Sequence, residues 1–431
     1  NPRLLLSALA LVTLFVLPWC LSAVAATRIA MDADDIAGVV RGTNGLEAGV
    51  WVIAETTDLP TKMAKIVVTD DSGRYLLPDL PKARYRVWVR GYGLVDSKPV
   101  EAAPGQRLDL TAAVAPDARA AAQYYPANYW LSLLDIPPAS DFPGTGPKGN
   151  GISAGMPTQD HWVYQVKEMC MFCHQLGNKA TREIPNSLGK FDTSIQAWAH
   201  RIAQGPIGPY MSSLMGQFGP LGIREFADWT DRIAAGALPA QAPPRPSGIE
   251  RNLVLTLWDW ADGAMIHDEI TTDKRQPTVN AGGLVYGVST HGGNALVWVD
   301  PVKNAATAIP VPSQDSNIAS SPHNPMMDEL GRVWITSAFR DPGKNPAYCT
   351  DSSNPYARFF PLAEPIGSLR QVSVYDPKSG KFELIDTCFG THHLEFAHDK
   401  ERTLYLSGDV NAIGWIDTRA FDETKDAKSS I

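Results

Sequence analysis

The sequence has no long basic run. Its 38 lysines and arginines are outnumbered by 46 aspartates and glutamates, for a net charge of −8. That excludes the electrostatic footprint nucleic acid requires. The apolar run at residues 4–17 stops short of the ~20 residues a membrane span needs. There is no glycine fingerprint of a dinucleotide-binding fold and no quinone-cofactor signature, so the substrate end of any reaction is left open. Cysteine is scarce, with 5 in 431 residues, and the few present sit in informative places. What is plentiful is turn chemistry: 35 glycines and 34 prolines are spread along the chain, which suits β-rich domains joined by ordered turns. The length suggests roughly three domains.

Residues 1–26 read as a signal peptide. Arg3 is the basic flank, residues 4–17 the apolar core, and Ala23-Val24-Ala25-Ala26 the small residues before cleavage. The expected destination is the bacterial periplasm or the exterior, with no stable membrane span after cleavage.

The densest chemistry is Cys170-Met171-Phe172-Cys173-His174. This is C-x-x-C-H, the attachment signal for a c-type haem. Two thiols three residues apart can each form a thioether to a vinyl group, and the adjacent histidine reaches the iron as proximal ligand. The alternative is a disulfide or redox pair in an exported protein. The histidine and the export signal count against it.

Residues 35–115 alternate as antiparallel strands. Asp70-Asp71-Ser72-Gly73-Arg74-Tyr75-Leu76-Leu77 is a turn leading into a strand. In Tyr85-Arg86-Val87-Trp88-Val89-Arg90, Tyr85, Val87 and Val89 share one face. This stretch resembles the carboxypeptidase regulatory-like (transthyretin-like) sandwich, which implies a spacer or binding module. Residues 116–155 form a connector whose aromatics, Tyr124, Tyr125, Tyr129 and Trp130, are expected to fill a gap between domains.

Residues 156–265 are expected to be helical. Trp162, Val166 and Met169 form one apolar face that ends in the cysteine motif. Ile195, Trp198 and Ile202 mark a second helix, and Phe226, Trp229, Ile233 and Leu238 a closing one that packs on the first. The stretch resembles a one-haem cytochrome c domain. The resemblance implies a methionine as distal iron ligand, with Met211, directly after the loop Gly205-Pro206-Ile207-Gly208-Pro209, preferred over Met215. His200 is a further candidate. Residues 239–246 read as a stiff proline linker, and 253–264 as an apolar, tryptophan-rich segment packing between domains.

Residues 270–431 repeat a pattern. Asp328-Glu329-Leu330-Gly331-Arg332-Val333-Trp334-Ile335-Thr336 leads to Val372-Ser373-Val374-Tyr375-Asp376-Pro377, with looser copies at 282–301 and 400–417. This resembles the streptogramin lyase (virginiamycin B lyase-like) β-propellers. At ~40–45 residues per blade the segment amounts to about four blades, an incomplete set for that family. His291, His323, His392 and His393 fall at blade-equivalent places, where inner strands converge on the axis and imidazoles can bind a divalent metal. The resemblance makes His323 and His393 candidate catalytic residues, with Glu395 the nearest carboxylate. Cys349 and Cys388 can form a disulfide, remain a buried thiol pair, or ligate copper.

The expected fold class is multidomain: a β-sandwich, an all-α cytochrome c-like domain and an incomplete β-propeller. The expected function is electron transfer by an exported c-type cytochrome carrying one haem c. Cys170 and Cys173 hold the haem, His174 and Met211 bind its iron, and a periplasmic protein is the redox partner. Whether the chain is itself an enzyme, such as an oxidoreductase subunit, is left open. A metal-dependent lyase or hydrolase at the propeller axis and an envelope binding scaffold are the other readings.

Overall fold

The computed structural model describes residues 29–171, 174–205, 207–260, 266–290, 293–314, 317–341, 344–351, 353, 370–408 and 413–431. Residues 1–26, read from the sequence as a signal peptide, Cys173 and His291 lie outside the described residues. The chain is multidomain and β-rich, with antiparallel sheets at both ends and a small helical unit between them. Among the described residues no helix is long and apolar enough to cross a membrane.

The first unit holds β1 (Ile36–Gly42), β2 (Gly45–Leu46), β3 (Trp51–Thr56), β4 (Met63–Val68), β5 (Arg74–Leu77), β6 (Tyr85–Arg90), β7 (Leu94–Val95), β8 (Val100–Ala102), β9 (Leu110–Thr111) and β10 (Ala113–Val114). Tyr75, Leu77, Tyr85, Val87 and Val89 are buried, as the period-two pattern requires, in one core shared by the strands. The largest sheet runs β11-β4-β3-β6-β8. Its edge strand β11 (Val254–Trp258) comes from far along the chain and pairs antiparallel with β4 from Val254↔Val67 to Trp258↔Met63. The sequence places this segment with the helices. The structure instead gives it to the first unit, because a Val-Leu-Thr-Leu-Trp run is a good strand and β4 offers it an unpaired edge.

The helical unit takes in the connector, residues 116–155. Its helices are α1 (Ala118–Ala122), α2 (Ala127–Leu131), α3 (Gln159–Tyr164), α4 (Lys179–Arg182), α5 (Ser194–Ile202), α6 (Gly208–Phe218) and α7 (Pro220–Ala234). Tyr92, Tyr125 and Tyr129 form a chain of edge-to-face contacts from the first unit. Trp130 is buried in the helical core with Trp162, Trp198, Phe218, Phe226 and Trp229. The closing helix α7 buries Phe226, Trp229 and Ile233 as expected. It packs on α5 and α6 rather than on α3, with the Trp198 indole N–H donating to Thr230 Oγ1 at 3.1 Å. Ile195 is exposed, and α5 turns Ala197 and Trp198 inward.

Three antiparallel meanders follow. The first is β12 (Ile266–Ile270), β13 (Val285–Ser289), β14 (Ala295–Asp300) and β15 (Ala305–Pro310). The second is β16 (His323–Met327), β17 (Val333–Ser337), β18 (Gln371–Asp376) and β19 (Lys381–Ile385). The third is β20 (Thr391–Phe396), β21 (Thr403–Gly408) and β22 (Ile413–Asp417), followed by α8 (Thr418–Thr424) and α9 (Ala427–Ser430). Two apolar layers lie between successive sheets. One contains Tyr286, Val288, Met327, Val333 and Ile335, the other Trp334, Val374, Leu394, Leu404 and Ile416. Among the described residues the sheets do not close into a ring or barrel. Length arithmetic gives about four repeats; among the described residues there are three such sheets, and much of the connection between β17 and β18 lies outside the described residues. Cys349 and Cys388 form a disulfide that ties this connection to the end of β19.

The repeated Asp-x-x-Gly-Arg turn has a physical reason. Asp328 is buried, and its Oδ1 accepts the N–H groups of Leu330 and Arg332, both at 2.9 Å. Its Oδ2 accepts Arg332 Nε at 2.7 Å and the Trp334 indole N–H at 2.8 Å. Gly331 takes the left-handed conformation at φ 81° that closes the turn. Asp70 repeats the arrangement in the first unit, accepting from Ser72 N and Arg74 N at 2.9 Å each.

Asp328→Ala leaves four donors without their acceptor, and is expected to lower unfolding free energy by about 2–4 kcal/mol. Asp70→Ala, at a more solvated turn, is expected to cost less. Urea denaturation of the two variants checks the order.

Candidate functional site

Two places concentrate chemistry. The first is the end of the helix that carries the cysteine motif. Thr158 caps α3 by accepting the His161 N–H at 3.2 Å. The helix then widens into a π-helical turn, Gln165–Cys170, so that the Met171 N–H reaches the Val166 carbonyl at 3.1 Å. Such wide turns are frequent at functional sites. The extra residue carries both Gln165 and Val166 inward, which a regular helical reading of Trp162, Val166 and Met169 does not anticipate. Cys170 packs against the apolar core of the helical unit. Burial pushes its thiol up to about 11, opposite to the lowered value of a reactive redox cysteine. The His174 N–H donates to the Cys170 carbonyl at 3.2 Å, closing the turn, and its ring is exposed.

Met211 and Met215 both lie on α6, one turn apart. Met215 is buried in the cluster that also receives Cys170, while Met211 is only half-buried and outside it. Met215 also lines an apolar cleft of about 630 Å³ with Ile202, Gly216, Pro220 and Ile223. His200 is exposed, its ring 5.2 Å from that of Phe191.

The second place is where the first strands of the three C-terminal sheets lie side by side. Each strand carries a histidine near its start: Ile266-His267-Asp268 in β12, His323-Asn324 after Pro322 in β16, and Thr391-His392-His393 in β20. Each also breaks register there, between Ile266 and Glu269, between His323 and Pro325, and between Thr391 and Leu394. A bulge of this kind re-aims a side chain out of the normal alternation. The result is an imidazole cluster. The His323 ring lies 4.2 Å from His267, 4.4 Å from His392 and 5.0 Å from His393, centroid to centroid.

Asn324, at φ 39°, holds the strands in this relation. Its N–H donates to Asp268 Oδ2 at 3.0 Å, and its side-chain oxygen accepts the Leu394 N–H at 2.8 Å. The Thr336 hydroxyl lies 2.9 Å from the carbonyl oxygens of both His323 and His392. Asp268 Oδ2 is 3.1 Å from His267 Nδ1 and 3.5 Å from His323 Nδ1. Neither nitrogen is aligned for a hydrogen bond, and both are buried without one. Ligand atoms of His323, His392 and His393 come within 4.8 Å of one another, as do those of His267, Asp268 and His323.

His323 and His393 are thus brought together with His392. Glu395 is not part of the group; it pairs with Lys274 at 2.5 Å. The carboxylate at the cluster is Asp268. The sequence reading missed His267 and Asp268, although Ile-His-Asp repeats the position of Pro-His-Asn and Thr-His-His. Compared with known protein families and with curated proteins, the chain matches none.

His323 is pushed down to about 3, first by burial and then by the fields of His267, Arg370 and His392, with Asp268 acting the other way. It folds neutral, whereas the unfolded chain takes up a proton at the ordinary histidine value near 6.5. In metal-free protein, stability is therefore expected to fall as pH drops below about 6.5, by up to about 1.4 kcal/mol per pH unit from this group. His323→Gln should flatten that slope. Denaturant titrations between pH 7.5 and 5 with chelator present measure it.

Proposed function

We propose that the chain is an exported c-type cytochrome whose one haem is carried by the helical unit, and that its three C-terminal sheets are β-propeller blades serving as docking or substrate-side domain. The observation that carries the reading is the C-x-x-C-H sequence at the end of a helix, with Cys170 turned into the apolar core and an apolar, methionine-lined cleft in the same small unit. The fit is chemical. A porphyrin needs an apolar enclosure and the iron needs a nitrogen and a soft or imidazole ligand. Cys170 and Cys173 would hold the porphyrin and His174 the iron. For the distal ligand the packing favours Met215 over Met211. Such a haem supplies one-electron transfer, with its potential set by axial ligands and burial. The chain's own contribution is the apolar core that keeps water from the cofactor, and the protein surface that meets a redox partner.

Protein exported from a host that matures c-type cytochromes is expected to show a haem-sized mass increase that survives denaturation, and a sharp low-spin band on reduction. Met215→Ala should remove the low-spin band while Met211→Ala keeps it. A mass without haem overturns the reading and leaves Cys170 and Cys173 as a thiol or disulfide pair.

The imidazole cluster favours a second reading, metal-dependent chemistry where the first strands meet. Two buried imidazole nitrogens without hydrogen-bond partners, with a carboxylate and two further imidazoles beside them, form a donor set suited to zinc, copper, iron or nickel. Elemental analysis is expected to find such a metal in the purified protein, and His323→Ala should weaken binding at least about tenfold. Protein that neither carries nor takes up these ions refutes this reading.

A further inference from the structure

A cleft of about 740 Å³ lies on the helical unit between the segment that follows α4, the helices α5 and α7, and the connector helix α1. Its apolar walls include Trp130, Ile184, Phe191 and Ile233. Three cations, Arg119, Arg182 and Lys190, line it as well. Arg182 is the telling one. It is 4% exposed. One terminal nitrogen donates to the Gly177 carbonyl at 3.0 Å and the other to Gln123 Oε1 at 3.2 Å. Its guanidinium lies over the Trp130 ring at 4.3 Å. Its Nε–H is buried with no partner.

Among the described residues no carboxylate pairs with Arg182. Two acids line the cleft: Asp231 accepts from the Ser194 hydroxyl, and Glu183, next in the chain, acts on Arg182 through its field alone. An unpaired buried guanidinium is strongly disfavoured unless an anion reaches it. A guanidinium is also the side chain best shaped to receive a carboxylate. Arg119 and Lys190 are exposed at the same cleft and add to the positive field. The chain as a whole is acidic, whereas the charged lining of this cleft is three cations to two carboxylates, beside apolar walls.

We propose that this cleft binds a small organic acid, with its carboxylate at the Arg182 guanidinium and its apolar body against Trp130, Phe191 and Ile233. Carboxylate chemistry has two sources here, a diffusible acid and the propionates of a haem held by Cys170 and Cys173. The proposal is the diffusible acid, and it does not depend on the electron-transfer reading.

The test is calorimetric titration of the full chain with 2-naphthoate, and with uncharged 2-naphthamide as control, on protein exported from a host that matures c-type cytochromes and on the Cys170→Ala, Cys173→Ala variant. Saturable binding of naphthoate to both forms is expected, with naphthamide at least about tenfold weaker, as loss of a charge-assisted contact implies. Arg182→Gln should abolish the preference for the acid. Because that variant removes a buried group and can unfold, the exposed pair Arg119→Gln, Lys190→Gln is titrated too, and is expected to weaken naphthoate several-fold while leaving naphthamide unchanged. Equal affinity for acid and amide, no binding to either, or an unaltered acid preference in the exposed pair overturns the proposal. So does binding confined to the haem-free form, which would assign the cleft to the propionates.

Discussion

The C-terminal half depends on one constraint: the first strands of three sheets run close together, and each gives up its regular pleat at the same place. A strand that kept its register would send alternate side chains to opposite faces, and imidazoles on neighbouring strands would pack into the apolar layers between sheets. The bulge at His267, His323 and His392 prevents this. It frees backbone groups that Asn324 and Thr336 then engage. The cost is an asparagine at positive φ and two imidazole nitrogens without partners. Departures of this kind from the best local choice concentrate where a protein does chemistry.

The helical unit makes a similar compromise on a smaller scale. The π-helical turn before Cys170 inserts one residue into the helix register. It seats Gln165 against Gln217, with 2.8 Å between the side-chain amides, and brings Cys170 to the apolar core. The raised thiol value is a consequence of that seat. A partly buried cysteine whose thiol is pushed up in this way is a poor redox nucleophile.

Much of the architecture was legible in the residues. Period two placed Tyr85, Val87 and Val89 inside, and helical spacing placed Phe226, Trp229 and Ile233 on one buried face. The Asp-x-x-Gly-Arg turn was readable because its reason is local, a carboxylate capping N–H groups two and four residues on. The histidines of β16 and β20 were found by their matched positions in the sequence repeat. His267 was missed because its strand lies before the boundary drawn at residue 270, although the three-residue repeat around it was present in the sequence. Glu395 was chosen for nearness along the chain, and its strand turns it away to Lys274.

The amino-acid sequence by itself determined the element types, the turns and the cysteine motif, since each follows from contacts within a few residues. It also determined that histidines recur at matched points of a repeat. Only the tertiary structure decided which distant segments meet. β11 joined a sheet whose other strands lie before residue 103, Met215 rather than Met211 entered the core beside Cys170, and Asp268 became the carboxylate of the imidazole cluster. These choices depend on free sheet edges, on the volume left in a core and on a one-residue shift of register, all of which arise from packing between segments far apart in the chain.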